Sequence, residues 1–241
     1  MRITQYEIRS AAIGKPLTFA LLTDLHSRIP DRLYTEIRKK SPDIIAIAGD
    51  FIDGSASEAP HMLEFLSGLA SLCPCYYSTG NHELFTDRDK ELVRRTGTVL
   101  LDDSCELSGC GIYIGGISSG FGFSRQSRYM KTPAPDLGFL KRFSSLGAFR
   151  LLLSHHPEYY PEYIRKTGID LVFSGHAHGG QWRFFGQGIF APGQGLFPEY
   201  TRGLYDRRLV VSAGLGGHTV VPRIFNPEEL VFVRLMPEDS K

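Results

Sequence analysis

The sequence has almost no surplus of charge. It holds 27 Lys and Arg against 26 Asp and Glu, a formal net charge of +1. No strong overall field favours long nucleic acid or an acidic membrane, so neither partner is expected. Apolar runs as long as the roughly 20 residues of a membrane-spanning helix are missing. The first residues, Met1-Arg2-Ile3-Thr4-Gln5-Tyr6-Glu7, lack the apolar centre of a leader peptide. The expectation is a cytoplasmic location with no stable membrane anchor. Cysteine is scarce: Cys73, Cys75, Cys105 and Cys110 make no Cys-x-x-Cys pair and no zinc-finger spacing. Buried or free thiols are expected rather than disulfides or metal ligands. Repeats and low-complexity segments are absent too. What remains is ordinary globular composition, 42% hydrophobic and 22% charged over 241 residues. That length can bury a sizeable core, and no stretch reads as a linker, so one domain over residues 1–241 is expected.

Buried strands alternate with amphipathic stretches. Thr18–Thr23, Ile44–Ala48, Cys75–Thr79, Arg150–Leu153 and Asp170–Phe173 read as strands. Helices are expected over Asp31–Lys40, Glu58–Ala70, Asp87–Thr96 and Asp136–Leu146, with another through Ile164. Ile3–Arg9 alternates like a half-exposed strand, and shorter β segments cover Val99–Leu101 and Gly111–Ile117. After Gly180 the chain reads as β, over Gln181–Phe185, Arg208–Ser212 and Leu230–Leu235, with Gly- and Pro-rich turns. The fold class is α/β. A β-rich final quarter does not suit a plain doubly wound sheet; two packed mixed sheets flanked by helices fit better.

The polar residues that follow five of these strands carry the chemistry. They are Asp24/His26, Asp50/Asp53, Asn81/His82, His155/His156 and His176/His178. Ligands in open α/β sheets gather beyond the carboxyl ends of strands. In extended backbone residues i and i+2 share a side, so His176 and His178 can reach one volume between Gly175 and Gly179. One Asp after a strand is usually a turn residue or helix cap. Five such places in one chain, holding six of its 8 histidines, are not explained that way. Carboxylate, amide and imidazole without thiolate suit manganese, iron, zinc or cobalt. At least seven candidates exceed the four ligands of a tetrahedral zinc, enough for two cations sharing a bridge.

Asp-x-His, Gly-Asp-x-x-Asp, Gly-Asn-His-Glu, a His after a strand, and Gly-His-x-His, in this order, resemble the calcineurin-like metallophosphoesterases. The resemblance runs from about Leu17 to Leu235. The tail, through Arg202-Gly203-Leu204-Tyr205 and Phe225-Asn226-Pro227, is similar to the small bacterial phosphodiesterase-type branch. It implies a four-layer sandwich and two divalent metals, manganese first, with iron, zinc or cobalt as alternatives. Asp24, His26 and His178 would hold one metal; Asn81, His155 and His176 the other; Asp50 would bridge them. The pattern resembles His-x-Pro, which selects His155 over His156, and Pro157 disfavours helical backbone at His156. His156 is then a supporting or an exposed residue. The implied reaction is hydrolysis of a small phosphodiester or phosphomonoester by a hydroxide shared between the metals, with His82 protonating the leaving oxygen. Glu83 and Asp53 would support His82 or a ligand; Glu83 could equally be a carboxylate at a helix N-terminus. The rival functions are a metal-binding scaffold without catalysis and a phospholipid or lipid-precursor pyrophosphatase working at a membrane surface.

The stretch 118–135, with Phe121, Phe123, Arg125, Arg128, Tyr129 and Lys131, reads as a long mobile loop that could act as a lid. His218 lies in a glycine-rich turn and is expected at the surface. Trp182, Phe184, Phe185 and Phe190 are expected in the core or at a self-association surface. Oligomeric state is left open.

Overall fold

The computed structural model describes residues 1–119, 132–216 and 222–238. His218 and most of the 118–135 loop lie outside the described residues. Two six-stranded mixed sheets face one another. The first contains β1 (Arg2–Ser10), β2 (Leu17–Leu22), β3 (Ile44–Ala48), β4 (Cys75–Ser78), β5 (Val99–Leu101) and β16 (Glu229–Pro237), in the order β1-β16-β2-β3-β4-β5. The second contains β6 (Ser104–Leu107), β7 (Tyr113–Ile117), β8 (Arg150–Ser154), β9 (Leu171–Ser174), β14 (Gly203–Tyr205) and β15 (Leu209–Val211), in the order β14-β15-β9-β8-β7-β6.

Strands β2 to β5 are parallel, as are β7, β8, β9 and β15. Strands covered on both faces read as unbroken apolar runs, and β3 is buried at all five positions. Alternate residues serve opposite layers. Phe19, Leu21, Ala46 and Ala48 meet Leu151, Leu153, Phe173 and Val210 between the sheets. Ala20, Leu22, Ile45 and Ile47 face outward against Leu33 and Ile37 of α1 (Leu33–Lys40) and Met62, Leu66 and Leu69 of α2 (Pro60–Ala70). Val93 of α3 (Asp87–Arg95) joins the same layer. On the far side, Phe139, Leu140 and Phe143 of α4 (Leu137–Ser144) cover Leu152, Val172 and Val211. The order helix, sheet, sheet, helix is the expected sandwich.

Two features depart from the sequence-based expectation. Strand β6 is exposed at all four positions, so it has no apolar alternation to betray it. Gln181–Phe185 is not one strand: two small hairpins, β10 (Arg183–Phe184) with β11 (Gln187–Gly188) and β12 (Phe190–Ala191) with β13 (Gly195–Leu196), occupy that region. Trp182, Phe184, Phe185 and Phe190 are exposed, not in the core. No helix among the described residues is long and apolar enough to cross a membrane.

Candidate metal centre

The carboxyl ends of β2, β3, β4, β8 and β9 open onto one rim, where backbone bonds continue past the strands. Asp24 N–H donates to Gly49 O (3.0 Å), His26 N–H to Asp50 O (2.9 Å), and Gly175 N–H to His155 O (3.1 Å). Two bonds tie side chains into this ladder. Asp24 Oδ1 accepts from His176 N–H (3.0 Å), joining the two sheets, and Asp50 Oδ1 accepts from His82 N–H (2.9 Å). Asp24, His26, Asp50, His176 and His178 all sit at left-handed backbone, with φ between 44° and 64°. Non-glycine residues rarely adopt this region. The packing leaves little alternative: a Cβ on Gly80 would come within 2.2 Å of Asp50 Oδ1, and one on Gly175 within 2.4 Å of Asp24 Oδ2.

The structure brings the sequence-predicted groups together as two adjoining clusters. Donor atoms of Asp24, His26 and His178 lie within 4.8 Å of one another, and so do those of Asp50, His155 and His176. His26 Nε2 and His178 Nε2 are 3.2 Å apart, and His178 Nε2 is 3.6 Å from Asp24 Oδ1. Asp50 stands between the clusters: its Oδ2 is 3.1 Å from His155 Nε2 and 3.9 Å from both His26 Nε2 and His82 Nε2. His155 Nδ1 donates to Ala48 O (2.9 Å), which leaves Nε2 facing Asp50. Asn81 Oδ1 is buried without a hydrogen-bond partner among the described residues, and His155 Nε2 is buried with the Asp50 carboxylate 3.1 Å away. Buried polar atoms are nearly always satisfied. Buried carboxylate and imidazole donors gathered within 4.8 Å, together with an unsatisfied amide oxygen on the Gly80-Asn81-His82 loop, fit divalent cations, so the donor set and the group match.

The surrounding charges follow from this crowding. Burial opposes a charge on His155, but the adjoining Asp50 carboxylate outweighs it and pushes the imidazole up to about 10. Asp50 is fully buried, yet its imidazole neighbours hold its carboxyl well below the usual range. Burial and the neighbouring imidazoles drive His176 and His178 well below the ordinary histidine value.

Supporting residues divide the work. Asp53 Oδ1 accepts from Nδ1 of both His26 (2.9 Å) and His82 (2.7 Å). It therefore lies behind both rings and turns each Nε2 toward the centre. Glu83 does not begin a helix, because α3 starts at Asp87 with Thr86 as its cap. Instead its buried carboxylate accepts from the N–H groups of Asp50, Phe51, Ile52 and Gly80 and from the Tyr77 hydroxyl, at 2.6–3.3 Å. His156 is buried, not exposed, with Nδ1 3.3 Å from Glu158 Oε1. Glu158 also lies 3.9 Å from His176 Nε2, and His156, Glu158 and His176 form a further group of close donors, as do His26, Asp50 and His82. His155, not His156, is the one beside Asp50.

Sequence reasoning missed Glu158, Arg223 and Asn226. Arg223 donates to Ala213 O (2.7 Å) and Gly216 O (2.6 Å) and approaches His178 Nδ1 (3.2 Å). Asn226 Nδ2 donates to His178 O (2.6 Å). Neither follows a strand at the rim, so strand-end spacing gave no signal. Asn226-Pro227 stood out only as part of the tail.

Residues 17–180 match the model of the calcineurin-like phosphoesterase family. A metallophosphoesterase of Campylobacter jejuni is 30% identical over 97% of this chain. The chain spans 63% of that relative and 65% of a Helicobacter pylori metallophosphoesterase that is 26% identical. A UDP-2,3-diacylglucosamine pyrophosphatase of Chlamydia muridarum, LpxG, is 27% identical over 92% of this chain and 84% of its own length. In fold, the chain is similar to a dimetal phosphatase from Danio rerio, with a TM-score of 0.50 at 13% identity over 82% of this chain and 87% of that one. The chain belongs to the calcineurin-like phosphoesterase family.

Proposed function

We propose that this chain hydrolyses a small phosphoric ester with two divalent cations, manganese first among the candidates. Asp24, His26 and His178 would hold one cation, Asn81, His155 and His176 the other, with Asp50 shared. The observation that carries the reading is the position of Asp50, buried between two clusters of donors and within 4 Å of imidazoles from each. Bound there, the cations would neutralise phosphoryl oxygens and bring the pKa of a bound water down to about 7.

The chain's own residues do the rest. Glu83 clamps the β3 and β4 loops, so Asp50, Asn81 and His82 keep their places when substrate enters. Asp53 fixes the His82 ring, whose Nε2 faces the centre and can hand a proton to the leaving oxygen. Help of this kind is typically worth about 10²–10⁴-fold. A second reading, cleavage of a phosphoric anhydride in a lipid precursor, draws support from the name of the Chlamydia relative.

The test is assay of demetallated protein against aryl phosphate mono- and diesters, with each metal added back and bound metal counted. Activity should return as the second equivalent binds. Full turnover by verifiably metal-free protein would contradict the reading, and two bound ions without any turnover would favour a scaffold.

A further inference from the structure

The hairpin β10–β11 follows His178 by only a few residues and packs against that loop. Arg183 donates to Gly179 O, Thr201 Oγ1 and Gly186 O, and Ile189 N–H donates to Gly180 O. At its tip is a two-residue turn, Phe185-Gly186, with φ of 50° and 87°. Such turns favour Asn-Gly, because both positions need left-handed backbone. Phenylalanine gains nothing from this conformation, and here the residue is fully exposed. The same pairing recurs nearby: Phe225 has φ of 52° and is 77% exposed, and Phe197 has φ of 52° and is 68% exposed. Three bulky apolar residues are thus held in disfavoured backbone with their rings in water. Phe184 joins them, its ring 5.7 Å from that of Phe225.

Between these rings runs a groove lined by Arg183, Phe184, Phe185, Gly186, Arg202 and Phe225. Its only charged residues are the two arginines. Arg183 bonds only to neutral acceptors, and neither arginine is in an ion pair among the described residues. Apolar knobs beside a cationic groove match acyl chains beneath anionic headgroups. A two-fold contact with a second copy is a poorer match, because it would set the cationic groove against itself.

We propose that the Phe184/Phe185/Phe225 rim and its arginine groove dock on an anionic lipid surface. This rests on the phosphoester reading and extends it: the substrate is presented at a membrane, beside the metal-binding loop that carries the hairpin. The low net charge does not oppose this: Arg183 is buried and held by internal acceptors, adding an unpaired positive charge beneath the groove, and Arg202 is the arginine that headgroups would meet once the rings insert.

Co-sedimentation with vesicles of phosphatidylcholine, with and without a minority of phosphatidylglycerol, tests it. The chain should partition onto the anionic vesicles with or without metal. Phe185→Ser combined with Phe225→Ser should cut that partition by about ten-fold or more and leave hydrolysis of a soluble aryl phosphate unchanged. Arg202→Gln should weaken binding to anionic vesicles only. No binding by the unaltered chain, or undiminished binding by the double variant, would overturn the proposal. So would a dimer in sedimentation velocity that the double variant dissociates, if vesicles are ignored. Vesicle binding without any ester hydrolysis would remove the phosphoester reading and keep the docking surface.

Discussion

The metal-centre loops and the C-terminal hairpins use the same unfavourable backbone for opposite ends. At the rim, left-handed φ angles belong to Asp24, His26, Asp50, His176 and His178, all at most 6% exposed. At and beside the hairpins they belong to Phe185 in the β10–β11 turn, Phe197 just after β13, and Phe225 in the loop before β16, all at least 68% exposed. Such residues cost about 1–3 kcal/mol each and persist where their surroundings over-determine them. Around the rim the surroundings are visible: Glu83 takes four backbone N–H groups, and Asp24 and Asp50 each take one. The hairpin rings have no such enclosure within the described chain. One region places polar groups inside and the other places apolar groups outside. We read each inversion as a place for something beyond the polypeptide, cations at the rim and, as proposed above, a lipid surface at the exposed rings.

Substitutions at the rim should therefore be costly and at the hairpins cheap. The largest effect is expected for Asp50→Asn, which removes the shared carboxylate. Catalytic efficiency should fall by about 10³-fold or more, and plasma emission should find one metal or fewer per chain. His82→Ala sharpens this by keeping both metals while turnover falls. Next is Glu83→Ala, which strands four buried N–H donors. Chemical denaturation should register a loss of about 3 kcal/mol or more; a loss near zero would show that the rim does not depend on this carboxylate.

The metal-free chain should also have a pH signature. His155, pushed up to about 10, keeps a proton that the unfolded chain releases near 6.5. Its contribution is complete below about pH 6.5 and disappears as pH rises toward about 10. His176 and His178 are held down, so the unfolded chain takes up protons below about pH 6.5 that the folded chain refuses. Stability should fall on both sides of near-neutral pH. Metal replaces the His155 proton, so thermal melts of loaded protein should lose the alkaline fall; identical profiles would count against the site. The smallest effect is at the other region. Phe185→Gly relieves left-handed strain on an exposed ring and should raise stability by a few tenths to about 1 kcal/mol. A clear loss would mean that the ring is held by the chain itself.

What the sequence disclosed tracks how local the signal was. Ile44–Ala48 followed by Gly49-Asp50 announces a buried strand and its polar exit in seven residues, and the five exits together announced the centre. The pairing of β1 with β16, which inserts the last strand beside the first, has no local mark. Glu83 was ambiguous because a carboxylate after Asn-His fits a helix start as well as a backbone clamp, and only the fold places the β3 loop above it. Arg223 and Asn226 reach His178 from more than 40 residues away. Of the two places expected for Phe184 and Phe185, the core is excluded: Phe185 sits at the tip of a two-residue turn and Phe184 on the short strand beside it, both exposed.

The most direct measurement is anomalous diffraction from a crystal of the chain soaked in manganese. Two peaks are expected about 3.5–4 Å apart, one against Asp24, His26 and His178, the other against Asn81, His155 and His176, with Asp50 touching both. No peak among these side chains, or a single ion confined to His156 and Glu158, would contradict the account.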